Sequence, residues 1–280
     1  MIKLILNYLL LKLRLFNIEY VPNLTGIKRE IPIIISISSS YDDFDKLELV
    51  LYSLFLQTTK PDKIILWISD DYELSDLPYN ITKFLKKGLQ IEFRKNLENY
   101  TNKIYAFKEF ANSIVVTAEN NVYYPRNWLK ILYESYVTNP SDIHSHLCKK
   151  IKFEQNKIIT CEKWKLQDEE NSRFTNFMLS EGGVLYPPKS FINEVFREDI
   201  FNSVTNENIW LWFMAVLSDR KIRVVKNHIK NFPQTDLINY FCNLKNRNFI
   251  SKQTDNQAEK LLKLYGSNIF SKLNRENKDL

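Results

Sequence analysis

The chain has 280 residues, of which 44% are hydrophobic and 26% are charged, and its formal net charge is +6. A chain of this size can build one substantial α/β domain with extensions, or two small domains, and one core with extensions is the simpler interpretation. The positive charge is compatible with anionic partners, but the sequence has no zinc-finger spacing, arginine-rich arm or RNA-binding aromatic signature. These absences argue against a nucleic-acid-binding protein.

Three cysteines, Cys148, Cys161 and Cys242, stand at wide spacings. An odd number at such spacings fits neither a disulfide framework nor a four-ligand metal site. The cysteine content therefore predicts a protein of the reducing cytoplasm.

The first 16 residues are strongly apolar, but Lys3, Lys12 and Arg14 interrupt the run. The run falls short of the ~20 apolar residues that a membrane-spanning helix needs. No small-residue cleavage site follows it, which argues against a signal peptide. We expect a basic amphipathic helix that either lies on a membrane surface or packs on its own domain.

Apolar, β-branched runs alternate with helical patterns through the first half of the chain. The patterns predict strands at residues 31–37, 63–69, 90–94 and 113–116, and helices at residues 44–57, 81–87 and 101–110. Strands that alternate with helices are typical of a parallel, Rossmann-like sheet.

Polar residues follow three of these predicted strands, at residues 38–43, 69–71 and 119–121. Turns are commonly polar, so any one of these runs has an ordinary structural explanation. In an open α/β sheet, however, ligands bind at the carboxyl ends of the strands. Three polar runs on a common edge therefore predict a binding site.

The second half of the sequence predicts a more mixed arrangement of strands. Pro125 stands where a helix up to residue 138 would begin, since proline is favoured in a first helical turn. Gln155 and Asn156 separate two short apolar runs, which indicates a hairpin. Gly182 and Gly183 precede a short apolar strand, where they serve either a structural turn or the close approach of a ligand.

A helix is predicted at residues 205–217, with Thr205 as its N-cap and Glu207 in its first turn. The helix dipole favours a carboxylate there, so Glu207 could be purely structural, but the same position suits a general base at the lip of a cleft. A strand at residues 221–225 follows. Beyond Pro233 the chain is polar and rich in lysine, with an amphipathic piece at residues 256–265.

Three segments in this order resemble bacterial nucleotide-sugar glycosyltransferases of the GT-A fold that are related to family 2. They are TAENNVYYPRNWL (residues 117–129), GGVLYPP (182–188) and NIWLW (208–212), with supporting matches at 57–67 and 143–146. The resemblance covers residues 31–226. It implies an α/β GT-A fold with a mostly parallel central sheet, a more mixed C-terminal half, and helical extensions at both ends. The implied boundaries are 1–28 for the N-terminal extension, 29–230 for the transferase domain and 231–280 for the C-terminal extension.

In that family the strand end carries a run of aspartates, the DxD element, whose last carboxylate holds a divalent metal. Here the matching residues are Glu119, Asn120 and Asn121. A pair of acids usually opens the later helix, and Glu207 with Asn208 stands in their place. Both departures replace a carboxylate with an amide, which is a weaker ligand for a hard cation.

The resemblance implies a Mn²⁺ or Mg²⁺ ion, and its ligands here would be Glu119, Asn121 and His228. Lys103 or Arg126 could instead neutralise a donor diphosphate.

The predicted function is transfer of a hexose from a nucleotide-sugar donor to a cell-surface glycan, such as lipopolysaccharide or capsule, or to a lipid-linked acceptor, with inversion by family analogy. The predicted location of the protein is the cytoplasm, at the inner face of the cytoplasmic membrane. Residues 1–16 would make the peripheral membrane contact. The predicted base is Glu207. The predicted donor-binding residues are Ser38, Ser39, Tyr41, Asp70, Lys103, Glu119, Asn120 and Asn121, and the predicted transfer-site residues are Gly182, Gly183 and Trp210.

Two alternatives remain open from the sequence. The amide replacements also fit a degenerate transferase that binds a glycan or a partner enzyme without turnover. The positive charge also fits a basic membrane-surface or nucleic-acid module, whose membrane form would use the N-terminal segment as an anchor.

Overall fold

The computed structural model describes residues 21–24, 29–235 and 247–278. The predicted N-terminal helix and Cys242 lie outside these ranges, as does part of the predicted C-terminal extension. No helix within the described ranges is long and apolar enough to cross a membrane.

Strands and helices alternate through the first half, as the sequence predicts. The strands are β1 (Ile33–Ser38), β2 (Lys63–Ser69), β3 (Leu89–Arg94) and β4 (Ile114–Thr117), and the helices are α1 (Phe44–Phe55), α2 (Tyr79–Thr82), α3 (Thr101–Glu109) and α4 (Trp128–Thr138). A 3-10 helix, Lys83–Lys87, continues α2 directly. The alternation places each helix on a face of the sheet.

The second half is built from shorter strands. They are β5 (Ile143–Ser145), β6 (Cys148–Lys150), β7 (Phe153–Glu154), β8 (Lys157–Ile158), β9 (Lys165–Leu166), β10 (Asn171–Arg173), β11 (Asn176–Met178), β12 (Val184–Tyr186) and β13 (Ile222–Val224). The helices of this half are α5 (Glu198–Phe201), α6 (Glu207–Leu217) and α7 (Arg247–Lys278). The predicted hairpin is β7–β8, and Gln155 and Asn156 both have positive φ, +47° and +59°, as a two-residue turn requires.

The central sheet has eight strands in the order β10-β13-β5-β12-β4-β1-β2-β3. Strands β4, β1, β2 and β3 are parallel neighbours. Strand β12 is antiparallel to both β4 and β5, and β10 is antiparallel to β13. The fold is therefore α/β with a mostly parallel sheet and a mixed C-terminal half, as predicted.

Alternate residues of β1 supply the cores on the two faces of the sheet. Ile33, Ile35 and Ile37 pack with helices α1 and α4, whereas Ile34 faces the core that contains helices α3, α6 and α7. All four are essentially inaccessible to solvent, and burial stabilises each by about 1.5 to 3 kcal/mol relative to exposure. Burial on both faces explains why this strand reads as a continuous apolar run.

Helix α4 begins at Trp128, three residues later than Pro125, where the sequence predicts its start. The buried side chain of Gln57 replaces a local cap. Its Oε1 accepts from Leu129 N at 3.0 Å, while its Nε2 donates to Pro125 O at 3.0 Å. A side chain that is distant in the sequence therefore determines where helix α4 begins. The local sequence around residue 128 does not predict this contact.

Helix α7 contains the predicted amphipathic piece and is much longer than it. Ala258, Leu261, Ile269, Phe270 and Leu273 belong to the same core as helix α6. Near its end, the Lys272 ammonium donates to the carbonyls of Val216 and Leu217 at 2.9 and 3.1 Å, which satisfies groups at the C-terminus of α6. Helix α7 is thus packed into the domain between Ala258 and Leu273.

Candidate active site

The carboxyl ends of β1, β2, β3 and β4 surround a cavity of about 380 Å³. Four polar segments, one after each strand, form its walls. The lining residues are Ser38, Ser39, Ser40, Tyr41, Asp42, Asp43, Trp67, Ser69, Asp71, Tyr72, Asn96, Glu98, Asn99, Thr101 and Asn120. The edge of the sheet that the sequence singles out is therefore a formed pocket.

Four predicted donor-binding residues, Ser38, Ser39, Tyr41 and Asn120, line this cavity. Asn120 holds two of its walls together, because its Nδ2 donates to Ser39 Oγ at 3.4 Å and to Asp43 Oδ2 at 3.1 Å. The amide at this position thus has a structural role within the strand-end edge.

Of the two acids that follow β2, Asp71 lines the cavity, and the predicted donor-binding residue Asp70 does not. Asp70 is exposed. The backbone of Asp70 continues the pairing with β3, since its N–H donates to Arg94 O at 3.0 Å. The carboxylate that reaches the cavity is the next one along the chain.

Two tyrosine rings provide a flat apolar surface in the cavity. Tyr41 and Tyr72 stack with ring centroids 5.6 Å apart and an interplanar angle of 16°. They are 52% and 37% exposed. Exposed aromatic rings beside polar groups suit the stacking of a planar heterocycle.

The cavity lining carries four carboxylates, from Asp42, Asp43, Asp71 and Glu98, and no lysine or arginine. Together with the serine hydroxyls, these groups are mainly hydrogen-bond acceptors. They suit the N–H and hydroxyl groups of a nucleoside better than the oxygens of a phosphate. A cation for a diphosphate must come from outside this lining.

Beside the cavity wall, Lys103 lies between two carboxylates. Its Nζ is 3.5 Å from Oε1 of Glu119 and 3.5 Å from Oε1 of Glu207, and the Lys103 side chain is 3% exposed. It also donates to Asn99 O and to Asn102 Oδ1, both at 3.2 Å. The predicted donor-binding residue Lys103 is therefore an internal counter-charge rather than part of the cavity lining.

Three different elements carry this charge cluster. Lys103 is in the first turn of α3, Glu119 follows β4 by two residues, and Glu207 is the first residue of α6. The true N-cap of α6 is Asn206 and not Thr205, because Asn206 Oδ1 accepts from the backbone N–H groups of Asn208 and Ile209. This cap satisfies the first donors of the helix.

Burial and charge act in opposite directions on the pKa values of the cluster. Burial raises the pKa of Glu207, the Lys103 ammonium lowers it, the Glu119 carboxylate raises it again, and the net shift is upward. For Lys103, burial alone would lower the pKa, but the two carboxylates together outweigh burial and raise it. Lys103 therefore stays charged, and Glu207 is a carboxyl with unusual affinity for a proton.

Within the described ranges, the buried Asn208 Oδ1 and the Tyr186 hydroxyl have no hydrogen-bond partner, and Glu119 Oε1 has only its 3.5 Å ion pair with Lys103. Burial raises the pKa of Tyr186, and the charges of Glu207 and Glu119 raise it further. Unsatisfied buried polar atoms are rare and costly. None of the three residues lines the strand-end cavity.

The residues present do not make a divalent-metal site of the usual composition. Within the described ranges, no group of three or more His, Cys, Asp or Glu side chains is arranged to hold a metal ion. Glu119 is 3.5 Å from an ammonium, and Asn120 donates into the strand-end edge. Asn121 is half-buried, with its backbone carbonyl accepting from Thr235 N at 2.7 Å.

His228, the third predicted metal ligand, is half-buried, and partial burial followed by the nearby Lys230 charge lowers its pKa. Its charged neighbours, Asp168 and Lys230, form an ion pair at 2.8 Å. No contact within the described ranges links it to Glu119. Metal binding thus stays a prediction that only a binding measurement tests.

Trp210 lies in the hydrophobic core and not at the surface of a transfer site. Its ring is inaccessible to solvent, and its Nε1 donates to Val195 O at 3.2 Å. Its position at the fourth residue of α6 directs it between α6 and α7, where it contacts the ring of Tyr265.

Gly183 is required by the close approach of Trp128, whereas a β-carbon on Gly182 would lie 3.0 Å from Leu147 Cγ. The Trp128 Nε1 donates to Gly182 O at 2.8 Å, and Gly183 has φ of +70°. A β-carbon on Gly183 would lie 2.4 Å from Trp128 Cζ2. These contacts explain the two glycines as a structural turn, without the close approach of a ligand.

We expect Gly183→Ala to destabilise the protein by about 1 to 3 kcal/mol, because alanine meets both an unfavourable backbone region and the Trp128 ring. Gly266→Ala is the matched control, since its β-carbon would meet nothing closer than 3.7 Å within helix α7. That change removes a helical glycine and should stabilise by about 0.5 to 1 kcal/mol. Urea unfolding of both variants measures the two values, and equal stabilities would contradict the close-packing account.

The cavity wall that follows β3 is not among the residues predicted from the sequence. Asn96, Glu98, Asn99 and Thr101 line the cavity there. The rule applied to the other three strands, that polar residues after a parallel strand mark the ligand-binding edge, also identifies this segment. Tyr72 and Tyr186 carry no comparable local signal.

Comparison with known proteins supports the fold. No protein-family model matches the sequence, and no curated protein sequence matches it. Among solved structures, TarS from S. aureus matches 72% of this chain at 15% identity with a TM-score of 0.50. At that identity the likeness shows a shared α/β fold and no more.

Two further structures are similar at lower scores. S. aureus TarS 1–349 in complex with UDP matches 72% of this chain at 14% identity with a TM-score of 0.48. A 4-diphosphocytidyl-2C-methyl-D-erythritol synthase matches 65% of this chain and 84% of its own, at 11% identity with a TM-score of 0.42. The chain spans 59% of the TarS 1–349 structure and 36% of the longer TarS structure.

Proposed function

We propose that the chain is a glycosyltransferase that binds a nucleotide sugar at the ends of β1 to β4 and transfers the sugar to an acceptor hydroxyl. The observation that carries this proposal is the placement of Glu207 beside that cavity: Asn99 lines the cavity and accepts from Lys103, which is 3.5 Å from Glu207. The shared α/β fold is compatible with it but carries no information about chemistry.

In this proposal the nucleoside occupies the cavity. The base stacks on Tyr41 and Tyr72, and its N–H groups and the ribose hydroxyls donate to lining carboxylates and serines. Because the lining lacks cations, the diphosphate must extend out of it toward a counter-charge outside the lining. Arg126 lies beside Thr58, beyond the C-terminal end of α1, whereas the cavity lies at the N-terminal end of that helix.

Glu207 serves as the general base. The acceptor oxygen forms a bond to the anomeric carbon, the bond from that carbon to the diphosphate breaks, and the acceptor proton passes to the Glu207 carboxylate. Burial raises the pKa of this carboxylate toward the range in which a base accepts a proton effectively, while Lys103 favours its ionised form. Such a base contributes about 10²- to 10⁴-fold to the rate.

The finer assignments belong to the same proposal. Inversion at the anomeric carbon agrees with one base and a direct displacement. A hexose as the donor sugar, a surface glycan or lipid-linked acceptor, and a place at the inner face of the cytoplasmic membrane through residues 1–16 rest on the sequence resemblance.

Calorimetry with UDP and GDP, each with and without Mn²⁺, tests the proposal. We expect at least one nucleotide to bind, and we expect Tyr72→Ala to weaken that binding by about 1 to 3 kcal/mol, roughly 5- to 150-fold, through loss of stacking. Tyr79→Ala is the matched control, since Tyr79 is 80% exposed and does not line the cavity.

Absence of nucleotide binding under every condition would overturn the proposed glycosyltransferase activity. It would favour a second candidate function, that of a transferase-fold protein that binds a glycan or partner enzyme without turnover. The observation in favour of that candidate is the acidic lining, which supplies no cation for a diphosphate. Equal losses of nucleotide affinity in the Tyr72→Ala and Tyr79→Ala variants would instead indicate that the nucleotide binds outside this cavity.

A further inference from the structure

Polar side chains of helix α7 hold the two residues that precede Glu207. Gln257 uses both ends of its amide: Oε1 accepts from Asn206 N at 3.0 Å, and Nε2 donates to Thr205 Oγ1 at 2.8 Å. Thr254 Oγ1 accepts from Asn206 Nδ2 at 2.9 Å. These contacts join residues about 50 positions apart in the sequence.

The residue held in this way is itself the cap of helix α6. Asn206 Oδ1 accepts from Asn208 N at 3.1 Å and from Ile209 N at 3.4 Å. Because its Nδ2 is bound to Thr254 and its N–H to Gln257, the capping side chain has a fixed orientation. The direction in which Glu207 leaves the helix start therefore depends on helix α7.

These contacts differ from those that dock the rest of α7. Gln257 is 5% exposed, so its amide is buried among the apolar residues that pack α7 on α6. An apolar side chain at position 257 would pack α7 on α6 equally well, since a buried amide adds stability only when it is fully hydrogen-bonded. At the other end of α6, Lys272 binds the carbonyls of Val216 and Leu217 and makes no contact with the Glu207 loop.

The same loop is tied to the cavity. Asn99, a lining residue, donates from its Nδ2 to Thr205 O at 3.2 Å, and its own carbonyl accepts from Lys103. The Lys103 ammonium is 3.5 Å from Glu207, longer than a direct charge-assisted bond of about 2.8 Å. A small displacement of the loop therefore changes the contact on which the charge of Glu207 depends.

We propose that Gln257 is a positioning residue for Glu207, so that the C-terminal helix α7 is a working part of the active site and not an appendage to it. The proposal rests on the proposed function in assigning Glu207 as the base. The positional part, that α7 fixes the start of α6, stands on the hydrogen bonds alone.

Two variants of the 280-residue chain separate positioning from docking. Gln257→Leu removes the hydrogen bonds to Thr205 and Asn206 with little change in size. Lys272→Met is the matched control, since it removes hydrogen bonds between α7 and the far end of α6. Both variants lose polar contacts of the same helix, but only the first changes the support of Glu207.

Hydrogen–deuterium exchange of the free protein is the first measurement. We expect Gln257→Leu to raise exchange at residues 207–210, where the Asn206 cap is loosened, and Lys272→Met to raise it near residues 216–218 instead. Unchanged exchange at the start of α6 in Gln257→Leu would overturn the proposal, whether or not the protein is a transferase.

Turnover is the second measurement, with nucleotide release from UDP- and GDP-sugars and with water as the acceptor. We expect Gln257→Leu to lower kcat about 10- to 100-fold with an unchanged KM for the donor, because a displacement of the base near 1 Å is costly and the cavity is intact. Lys272→Met should keep both constants. A wild-type kcat in Gln257→Leu, together with inactive Glu207→Gln, would contradict the positioning role while sparing the function. An inactive wild-type protein would contradict the proposed transferase function. Hydrogen–deuterium exchange would still test whether Gln257 fixes the start of helix α6.

Discussion

Glu207→Gln lowers turnover of the nucleotide-sugar donor by about 10²- to 10⁴-fold and leaves nucleoside diphosphate affinity unchanged, because the amide cannot accept the acceptor proton. The side chain keeps its size, and the Tyr41–Tyr72 surface lies in the separate strand-end cavity. Nucleotide release under single-turnover conditions measures the chemical step, and calorimetry measures the affinity.

Glu198→Gln is the control for this change. Glu198 is also the first residue of a helix, α5, but it is exposed and makes no ion pair with Lys103. We expect it to retain wild-type turnover. If Glu207→Gln also turned over within about threefold of wild type, the base would have to be another group, and the structural explanation of Glu207 as a helix-start carboxylate would be the better one.

Lys103→Met destabilises the protein by about 3 to 5 kcal/mol near neutral pH, because it leaves two carboxylates without their shared counter-charge. Lys103 is 2% exposed, and Glu207 is 8% exposed. Thermal and urea unfolding measure the loss. Lys130→Met is the control: its partner Glu134 is 3.7 Å away and both side chains are more than half exposed, so we expect a change within about 1 kcal/mol.

The loss caused by Lys103→Met should depend on pH with a definite sign. Burial raises the pKa of Glu207 above its ordinary value, and removal of the ammonium raises it further. A carboxyl with a raised folded-state pKa binds its proton more tightly in the folded than in the unfolded protein, so stability falls as pH rises past the ordinary carboxyl value near 4.5. We therefore expect a smaller loss at pH 5 than at pH 8.

A double variant tests whether Glu207 causes that loss. Glu207→Gln in the Lys103→Met background removes the uncompensated buried charge, so we expect it to recover part of the stability and to flatten the pH dependence. If the loss were the same at pH 5 and pH 8, and the double variant recovered nothing, the packing of the lysine side chain and not its charge would explain the effect.

The sequence predicts the strand-end edge well because that edge follows from local patterns. Ile33 to Ile37 and Ile64 to Ile68 are buried on both faces, so their apolar runs are continuous, and the polar runs after them mark where the strands leave the core. Parallel pairing then brings residues 38–43 and Asn120 together. Local pattern and sheet topology are sufficient for this part of the site.

The charge cluster was not predictable in the same way. Lys103 and Glu207 are 104 residues apart, and their contact depends on how α6 packs against α3. The sequence assigns Lys103 to the donor, but burial places it behind the cavity wall. Likewise, Asn206 and not Thr205 caps α6, because Gln257 and Thr254 of a distant helix hold Asn206 in place.

A crystal structure of the chain with UDP or GDP shows directly where the nucleotide binds. We expect a nucleoside in the cavity at the ends of β1 to β4, with its base on the Tyr41–Tyr72 surface and its diphosphate directed out of the acidic lining. A nucleotide bound elsewhere on the protein, at concentrations that saturate it in calorimetry, would contradict the assignment of this cavity as the donor site.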